Sequence, residues 1–391
     1  MGAKKLLRPR VIAWAATAVV LTGVLTTANV LLRNDYNSLI NQVLGGKRPI
    51  ISEEDTGIDF HQEFLTKQEA YDNGNKVTEK ICEEGMVLLK NKNNALPLAE
   101  GAKVSIFGKN SVQLVYGGSG SAAPDPKGTR KTIYDSFEAA GIQCNPALKE
   151  FYESSASGSG RSENPKMENS GVPTLKTGET PLSSYSASVK GTYSQYNDAA
   201  FVVISRIAGE NWDLPRKADD NPNRHYLELD NNERDLIKSL CESNEFKHII
   251  ILLNGSNYVD CGFLEISTDP AYSDKIDGCI NIGSPGANGI MALGKLVTGE
   301  VNPSGHTVDL VYTDYKSDPT WQNFGGNFEE NGDAYLTQDG STTGYYTVEY
   351  EEGIYMGYRY YETRGAVEGE DWYNQHVVYP FGFGLSYTTF E

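Results

Sequence analysis

Apolar positions along the chain fall into runs of two lengths. Val11 to Leu32 is a stretch of 22 residues without a charged side chain, long enough to cross a hydrocarbon core, and Lys4, Lys5, Arg8 and Arg10 precede it. Further on the runs shorten. Val104–Phe107, Phe201–Ile207, His248–Leu253 and Gly278–Ile282 read as buried strands, because a strand covered on both faces is continuously apolar. Helical spacing marks Lys131–Ala140, Asn231–Cys241 and Ala287–Leu296. It also marks Thr66–Lys92, where Ala70, Val77, Ile81, Val87 and Leu88 form an approximate stripe. Strands alternating with helices predict an α/β fold: a mostly parallel sheet sandwiched between helices, preceded by one N-terminal transmembrane helix. The expected divisions are a basic tail at 1–10, an anchor at 11–32, a spacer at 33–65, the sandwich at 66–375 and the start of a further module at 376–391. Within the sandwich, Ser154 to Asn169 is rich in Ser and Gly and reads as a mobile surface insertion. The Tyr-rich stretch from Trp321 to Trp372 reads as a long excursion of hairpins.

Charge narrows the setting. Basic residues flanking a membrane span stay inside, which predicts a single-pass plasma-membrane protein with its N-terminus inside and the sandwich extracellular. A cleaved leader is the competing reading, since Thr26-Thr-Ala28 is a passable small-residue site, but the apolar run exceeds the roughly 7 to 15 residues of such leaders. The formal net charge of −18 and pI near 4.8 exclude nucleic acid as a partner, which a basic surface must bind. Cysteines 82, 144, 241, 261 and 279 have neither the even count nor the close spacing of a disulfide framework or zinc site, and are expected as small core residues. No His/Asp/Glu cluster has ligand spacing, so no metal and no cofactor is expected.

Candidate chemistry concentrates where Phe201-Val-Val-Ile-Ser-Arg-Ile-Ala-Gly-Glu210-Asn-Trp-Asp213 leaves its apolar run. In open α/β sheets ligands sit at the carboxyl ends of strands, so Glu210 would stand at a strand tip. An indole beside it, Trp212, would raise its pKa by disfavouring the charged form; the plainer alternative is a solvated loop acid. Gly118-Ser-Gly-Ser-Ala-Ala123 satisfies the letters of a dinucleotide fingerprint, but Pro124-Asp-Pro126 blocks the helix that motif requires. Gly283-Ser-Pro-Gly286 reads as the turn into the next helix.

Seven blocks in order resemble glycoside hydrolase family 3: Glu84-Gly-Met-Val-Leu-Leu-Lys-Asn91 with Leu96-Pro-Leu98, Val104-Ser-Ile-Phe-Gly108, Tyr116-Gly-Gly-Ser-Gly-Ser121, Ile204 to Asp213, Asn281-Ile-Gly-Ser-Pro-Gly286, Val301-Asn-Pro-Ser-Gly305 and Tyr379-Pro-Phe-Gly-Phe-Gly-Leu-Ser-Tyr387. They cover roughly Gln68 to Glu391, and correspond to that family's second domain, with the last block leading towards a fibronectin type III-like module. The resemblance implies that Glu210 is the catalytic acid/base. Gly209-Glu210-Asn211-Trp212-Asp213 matches the family's Gly-Glu-Gly-x-Asp-like motif except at Asn211. It also implies that Gly117 to Ser121 borders the sugar, with Ser119 the expected contact, and that Gly118, Trp212 and Asp213 bind substrate. The family's nucleophile is an Asp in a Ser-Asp-Trp-type motif on a (β/α)8 barrel. This chain has no such string; Ser273-Asp-Lys and Ser317-Asp-Pro do not match, and Lys247-His248 copies a family substrate-binding pair by letters only, His248 reading as a strand-edge residue.

A barrel needs about 250 residues, more than the sandwich leaves. Some family members are permuted, so the expectation is a chain truncated before its catalytic barrel, the barrel lying downstream in the same gene product or in a partner chain. The implied activity is one half of a retaining exo-β-glycosidase, a β-glucosidase or β-xylosidase, acting on oligosaccharides or β-glycosides. The alternative is a non-catalytic, membrane-anchored sugar-binding or sensing protein in which Trp212, Tyr345 and Tyr346 stack on pyranose faces. Should Glu210 not be the acid/base, Asp213 and Glu228 come next.

Overall fold

The computed structural model describes residues 9–34, 63–118, 120–124, 128–163, 166–167, 173–210, 214–215, 217–256, 259–265, 272, 274–323, 334–336, 342–346 and 350–388. It divides into two compact units, Met1–Leu65 and Thr66–Glu391. In the first, helix α1 (Pro9–Asn34) has 26 residues, about 39 Å at 1.5 Å per residue. Val11, Trp14, Leu25 and Leu32 are exposed on it. A helix apolar on every side is one that lipid or other protein covers, and by length and composition Val11–Leu32 can cross a membrane.

The second unit alternates helices and strands: α2 (Lys67–Gly85), β1 (Val87–Asn91), β2 (Lys103–Phe107), α3 (Ile133–Ala139), β3 (Gln143–Cys144), α4 (Pro146–Glu153), β4 (Ala199–Ser205), α5 (Asn231–Ser243), β5 (Ile249–Asn254), β6 (Gly278–Gly283) and α6 (Met291–Thr298). The six strands form one sheet in the order β1-β6-β5-β4-β2-β3. All neighbours run parallel except β1, which is antiparallel to β6 with Val87 opposite Asn281. The fold is thus the expected mostly parallel sheet between helices.

Every residue of β4 and β5 is buried, and successive side chains go to opposite faces. Ala200, Val202, Ile204, Ile251 and Leu253 join Leu148, Tyr152, Leu236 and Leu240 of α4 and α5 in one core. Ala199, Phe201, Val203, Ile250 and Leu252 join Ile133, Phe137, Leu293 and Val297 of α3 and α6 in the other. Helix starts are written locally: Thr132 with Asp135, and Asp230 with Glu233, make reciprocal capping boxes, which satisfy backbone donors the first turn leaves open. Of the five cysteines, Cys241, Cys261 and Cys279 are core residues, and Cys82 and Cys144 are half-buried.

Several expectations are corrected. The helix expected over Thr66–Lys92 stops at Gly85, and Val87 and Leu88 belong to a strand. Met86 through Lys90 are buried in unbroken succession, which a one-faced helix cannot achieve and an edge strand packed on both faces can. The helix expected at Ala287 begins at Met291; before it, a Cβ on Gly289 would stand 2.3 Å from the Cys82 sulfur, so the chain turns there against α2. Within the expected mobile insertion, Ser157 is buried, accepts from Lys109 Nζ at 2.8 Å, and its carbonyl accepts from Thr180 Oγ1 at 2.8 Å. That part is tied to the core; residues 164, 165 and 168–172 lie outside the described residues. The Tyr-rich excursion does contain an antiparallel pair, Ala334–Leu336 with Thr342–Tyr346, but also helices α7 (Tyr358–Glu368) and α8 (Glu370–His376). Val377–Tyr379 pairs with Val311–Tyr312, Leu385 N donates to Leu88 O at 2.8 Å, and Tyr387 Oη donates to Leu296 O at 2.8 Å.

Candidate active site

Where β4 ends, Arg206 fixes the direction of the exit. Its side chain is wholly buried and forks onto Glu233, Nη1 to Oε1 and Nη2 to Oε2, each 2.8 Å. The same guanidinium donates to the carbonyls of Ser205 (2.9 Å), Tyr226 (2.6 Å) and Glu228 (2.6 Å). Burial alone would lower its pKa, but the Glu233 carboxylate more than offsets that and keeps it charged. Asn254, the last residue of β5, binds neighbouring loops together. Its Oδ1 accepts from Val115 N (2.7 Å) and Ser205 Oγ (2.8 Å), and its Nδ2 donates to the carbonyls of Val115 (2.9 Å) and Gly283 (2.8 Å). Gly286 N donates to Tyr116 O at 2.8 Å. These bonds bring the Gly-rich loop after β2 to the carboxyl tips of β4, β5 and β6.

Glu210 lies five residues beyond β4, whose last residue is Ser205, and is fully exposed. Its Oε2 accepts from both Ser121 N (2.9 Å) and Ser121 Oγ (2.7 Å). The backbone donor first, then the hydroxyl, holds the carboxyl below its usual range, since both bonds favour the ionised form. This reverses the raised pKa expected for it: the groups that decide the sign are donors from a distant loop. Gly120 makes the approach possible. It sits at φ +69°, and a Cβ there would lie 2.7 Å from both Cβ and Oε2 of Glu210.

Beside this contact lies a cleft of about 310 Å³ lined by Tyr116, Gly117, Gly118, Gly120, Arg130 and Arg161, among others. Arg130 stacks 5.3 Å over the Tyr116 ring. Arg161 donates to the carbonyls of Gln113 and Leu114 at 3.1 Å each, bracing the loop. Gly118 thus sits in the cleft wall; Ser119, Asn211, Trp212 and Asp213 lie outside the described residues. Gly120–Ala122 forms a single 3-10 turn, not the helix of a dinucleotide site. Glu228 does not line the cleft: its Oε1 accepts from His225 N at 3.0 Å, and its Oε2 is 3.7 Å from Arg234. His248 stands before β5, with Nδ1 3.4 Å from Asp277 Oδ2. Among the described residues no group of three or more His, Cys, Asp or Glu could hold a metal.

Ser121, Arg206, Asn254 and Gly120 carry the geometry; sequence reasoning placed Gly120 and Ser121 in the loop expected to border the sugar but linked neither to Glu210, and gave Arg206 and Asn254 no role. Arg206 is visible in hindsight as a charge inside an apolar run; Ser121 lies in the Gly-rich block but nothing local links it to Glu210.

The glycosyl hydrolase family 3 C-terminal domain model matches residues 86–358. β-Glucosidase A of Butyrivibrio fibrisolvens is 29% identical over 347 residues, covering 82% of this chain and 36% of its own length. An exo-1,4-β-xylosidase of Aspergillus awamori is 26% identical over 322 residues, covering 80% and 31%. β-Glucosidase 3B from Thermotoga neapolitana, solved with glucose, superposes with a TM-score of 0.60 at 28% identity, covering 82% of this chain and 39% of that one. The chain spans about a third of the length of the curated relatives it matches. With the sheet order, the Gly-rich loop at the strand tips and the 86–358 match all in agreement, this chain belongs to the glycosyl hydrolase family 3 C-terminal domain family.

Proposed function

We propose that this sandwich donates the acid/base Glu210 to a retaining exo-β-glycosidase, with β-glucosides or β-xylosides as substrates and the nucleophilic Asp supplied by a (β/α)8 barrel in cis or in trans. One observation carries the reading. Glu210 stands at the carboxyl tip of a central strand, against the Gly-rich loop and beside a cleft, in a chain similar to β-glucosidases and β-xylosidases. A retaining reaction places two carboxyls about 5 to 5.5 Å apart. One attacks the anomeric carbon. The other, Glu210 in this proposal, protonates the leaving oxygen and then deprotonates the attacking water. The two Ser121 donors lower the Glu210 carboxyl and so favour its ionised form, the form that acts on water. Gly118, Ser119, Trp212 and Asp213 are proposed to contact the sugar, and Val11–Leu32 to anchor the sandwich at the outer face of the plasma membrane.

A second reading is a membrane-anchored sugar-binding protein. The cleft walled by Tyr116 and the Gly-rich loop belongs to this chain alone, and binding needs no nucleophile.

The two readings separate in an enzyme that also contains the barrel. Loss of a general acid/base removes roughly 10²- to 10⁴-fold of rate. Glu210→Ala is expected to lose far more activity on disaccharides than on dinitrophenyl glycosides, whose leaving group needs little protonation. Azide should restore turnover and yield a β-glycosyl azide. Equal loss on both substrate classes with no azide rescue, or no loss at all, removes Glu210 from the role.

A further inference from the structure

We propose that Ser121 is a positioning residue for the acid/base: it holds one oxygen of Glu210 through its backbone N–H and its hydroxyl, and so governs the exchange of the proton that Glu210 carries. The inference rests on the acid/base reading of Glu210 and assigns it a controlling partner. The geometry is specific. Both Ser121 donors converge on Oε2, at 2.9 and 2.7 Å, so the two bonds fix that one oxygen and favour the charge on it. The loop is shaped for this contact, because Gly120 has a left-handed φ of +69° and no other residue fits against Glu210, where a Cβ would come within 2.7 Å. The start of the loop is braced, through Val115 to Asn254 and through Tyr116 to Gly286.

The consequence for the reaction is a division of labour between its two halves. Glycosylation needs Glu210 protonated, and the Ser121 donors oppose that form; deglycosylation needs it ionised, and they favour that form. Titratable and charged groups of the adjoining cleft are Tyr116, Arg130, Arg161 and Glu163, while the pull that keeps Glu210 ionised comes from Ser121, backbone first and hydroxyl second. Removing the hydroxyl leaves the backbone donor, so the proton becomes easier to hold without the loop losing its remaining bond. Replacing the hydroxyl by another hydroxyl preserves both.

The test uses the full 391-residue chain in detergent micelles. Carbodiimide-driven amidation with glycine ethyl ester consumes the protonated carboxyl, and peptide mass mapping reads Glu210 against the exposed Glu100 in the same digest. The pH of half-maximal amidation at Glu210 is expected to rise in Ser121→Ala and to stay at the wild-type value in Ser121→Thr, with Glu100 unmoved in both. Circular dichroism confirms that each variant is folded. In a barrel-containing enzyme, the alkaline limb of kcat/KM on an unactivated glycoside should move to higher pH in Ser121→Ala and return in Ser121→Thr. An amidation midpoint unchanged by Ser121→Ala overturns the contact, whatever azide rescue says about Glu210. A shifted midpoint with an unmoved alkaline limb overturns its role in the reaction.

Discussion

Arg206 and Glu233 meet tooth to tooth, Nη1 on Oε1 and Nη2 on Oε2 at 2.8 Å each, with neither side chain reaching solvent. The pair joins the tip of the central strand to the first turn of α5, and Glu233 also closes the capping box of that helix by accepting from Asp230 N at 2.9 Å. Removing one member of a buried pair strands the other charge, at a cost of about 3–5 kcal/mol. Glu233→Ala is therefore expected to lower stability by that order in a denaturant titration. The double variant Arg206→Met/Glu233→Leu should cost less than the sum of the two single changes. Strict additivity would mean that the pair is not coupled.

Glu179 gives the sandwich a dependence on alkaline pH. It is buried and accepts from Lys109 N (3.1 and 3.0 Å) and Thr180 N (2.7 Å), yet burial pushes its carboxyl from 4.5 up to about 8. A carboxyl whose pKa is raised by folding contributes stability that is complete below its unfolded value and is lost as pH climbs through the folded one. Between about pH 5 and 9 the wild type should lose ground to Glu179→Gln by on the order of a few kcal/mol. Asp260, raised to about 6, is present in both proteins and cancels in the difference, whereas the charge of Asp230 adds to the Glu179 shift and belongs to the same effect. Thermal melts of the two proteins at pH 5.5 and 9 measure it, and a constant gap removes Glu179 as the titrating group.

Catalytic dependence on a barrel is open to direct assay. The chain carries no Ser-Asp-Trp string, so the purified 391-residue protein is expected to turn over neither aryl β-glucosides nor β-xylosides above background. Hydrolysis that persists through purification and disappears with Glu210→Ala would show that the nucleophile is in this chain.

Topology can be read on intact cells. With Val11–Leu32 retained and Lys4, Lys5, Arg8 and Arg10 inside, added protease should digest the sandwich while untreated protein stays in the membrane fraction. A soluble form beginning near Asn29 would show instead that the leader is cut.

How far the sequence could be read depended on the range of the interactions involved. Strands β4 and β5 were legible because all their residues except the last, Ser205 and Asn254, are apolar and all are buried, and the tip position of Glu210 followed from where the run stops. Strand β1 was not: Val87-Leu-Leu directly follows a helical pattern, and periodicity cannot tell a short apolar strand from one more helical turn. The sign of the Glu210 shift was also out of reach, because the donor is 89 residues away. Arg206 announced itself as a charge in an apolar run, but its partner comes 27 residues later, and no local pattern names it.

Strand β1 sits at the edge of the sheet, and its Leu88 carbonyl receives Leu385 N. Nearby, three stretches of backbone are pressed together. A Cβ on Gly305 would stand 2.4 Å from Met86 O, and one on Gly384 would stand 2.1 Å from Gly305 O. The place where the sheet takes up the chain and the place where the chain leaves it are thus side by side, sealed by main-chain atoms that tolerate no side chain. Entry into the first strand and exit from the last described turn share one corner of the sheet, and a body whose ends meet in this way can be moved or exchanged with its core intact.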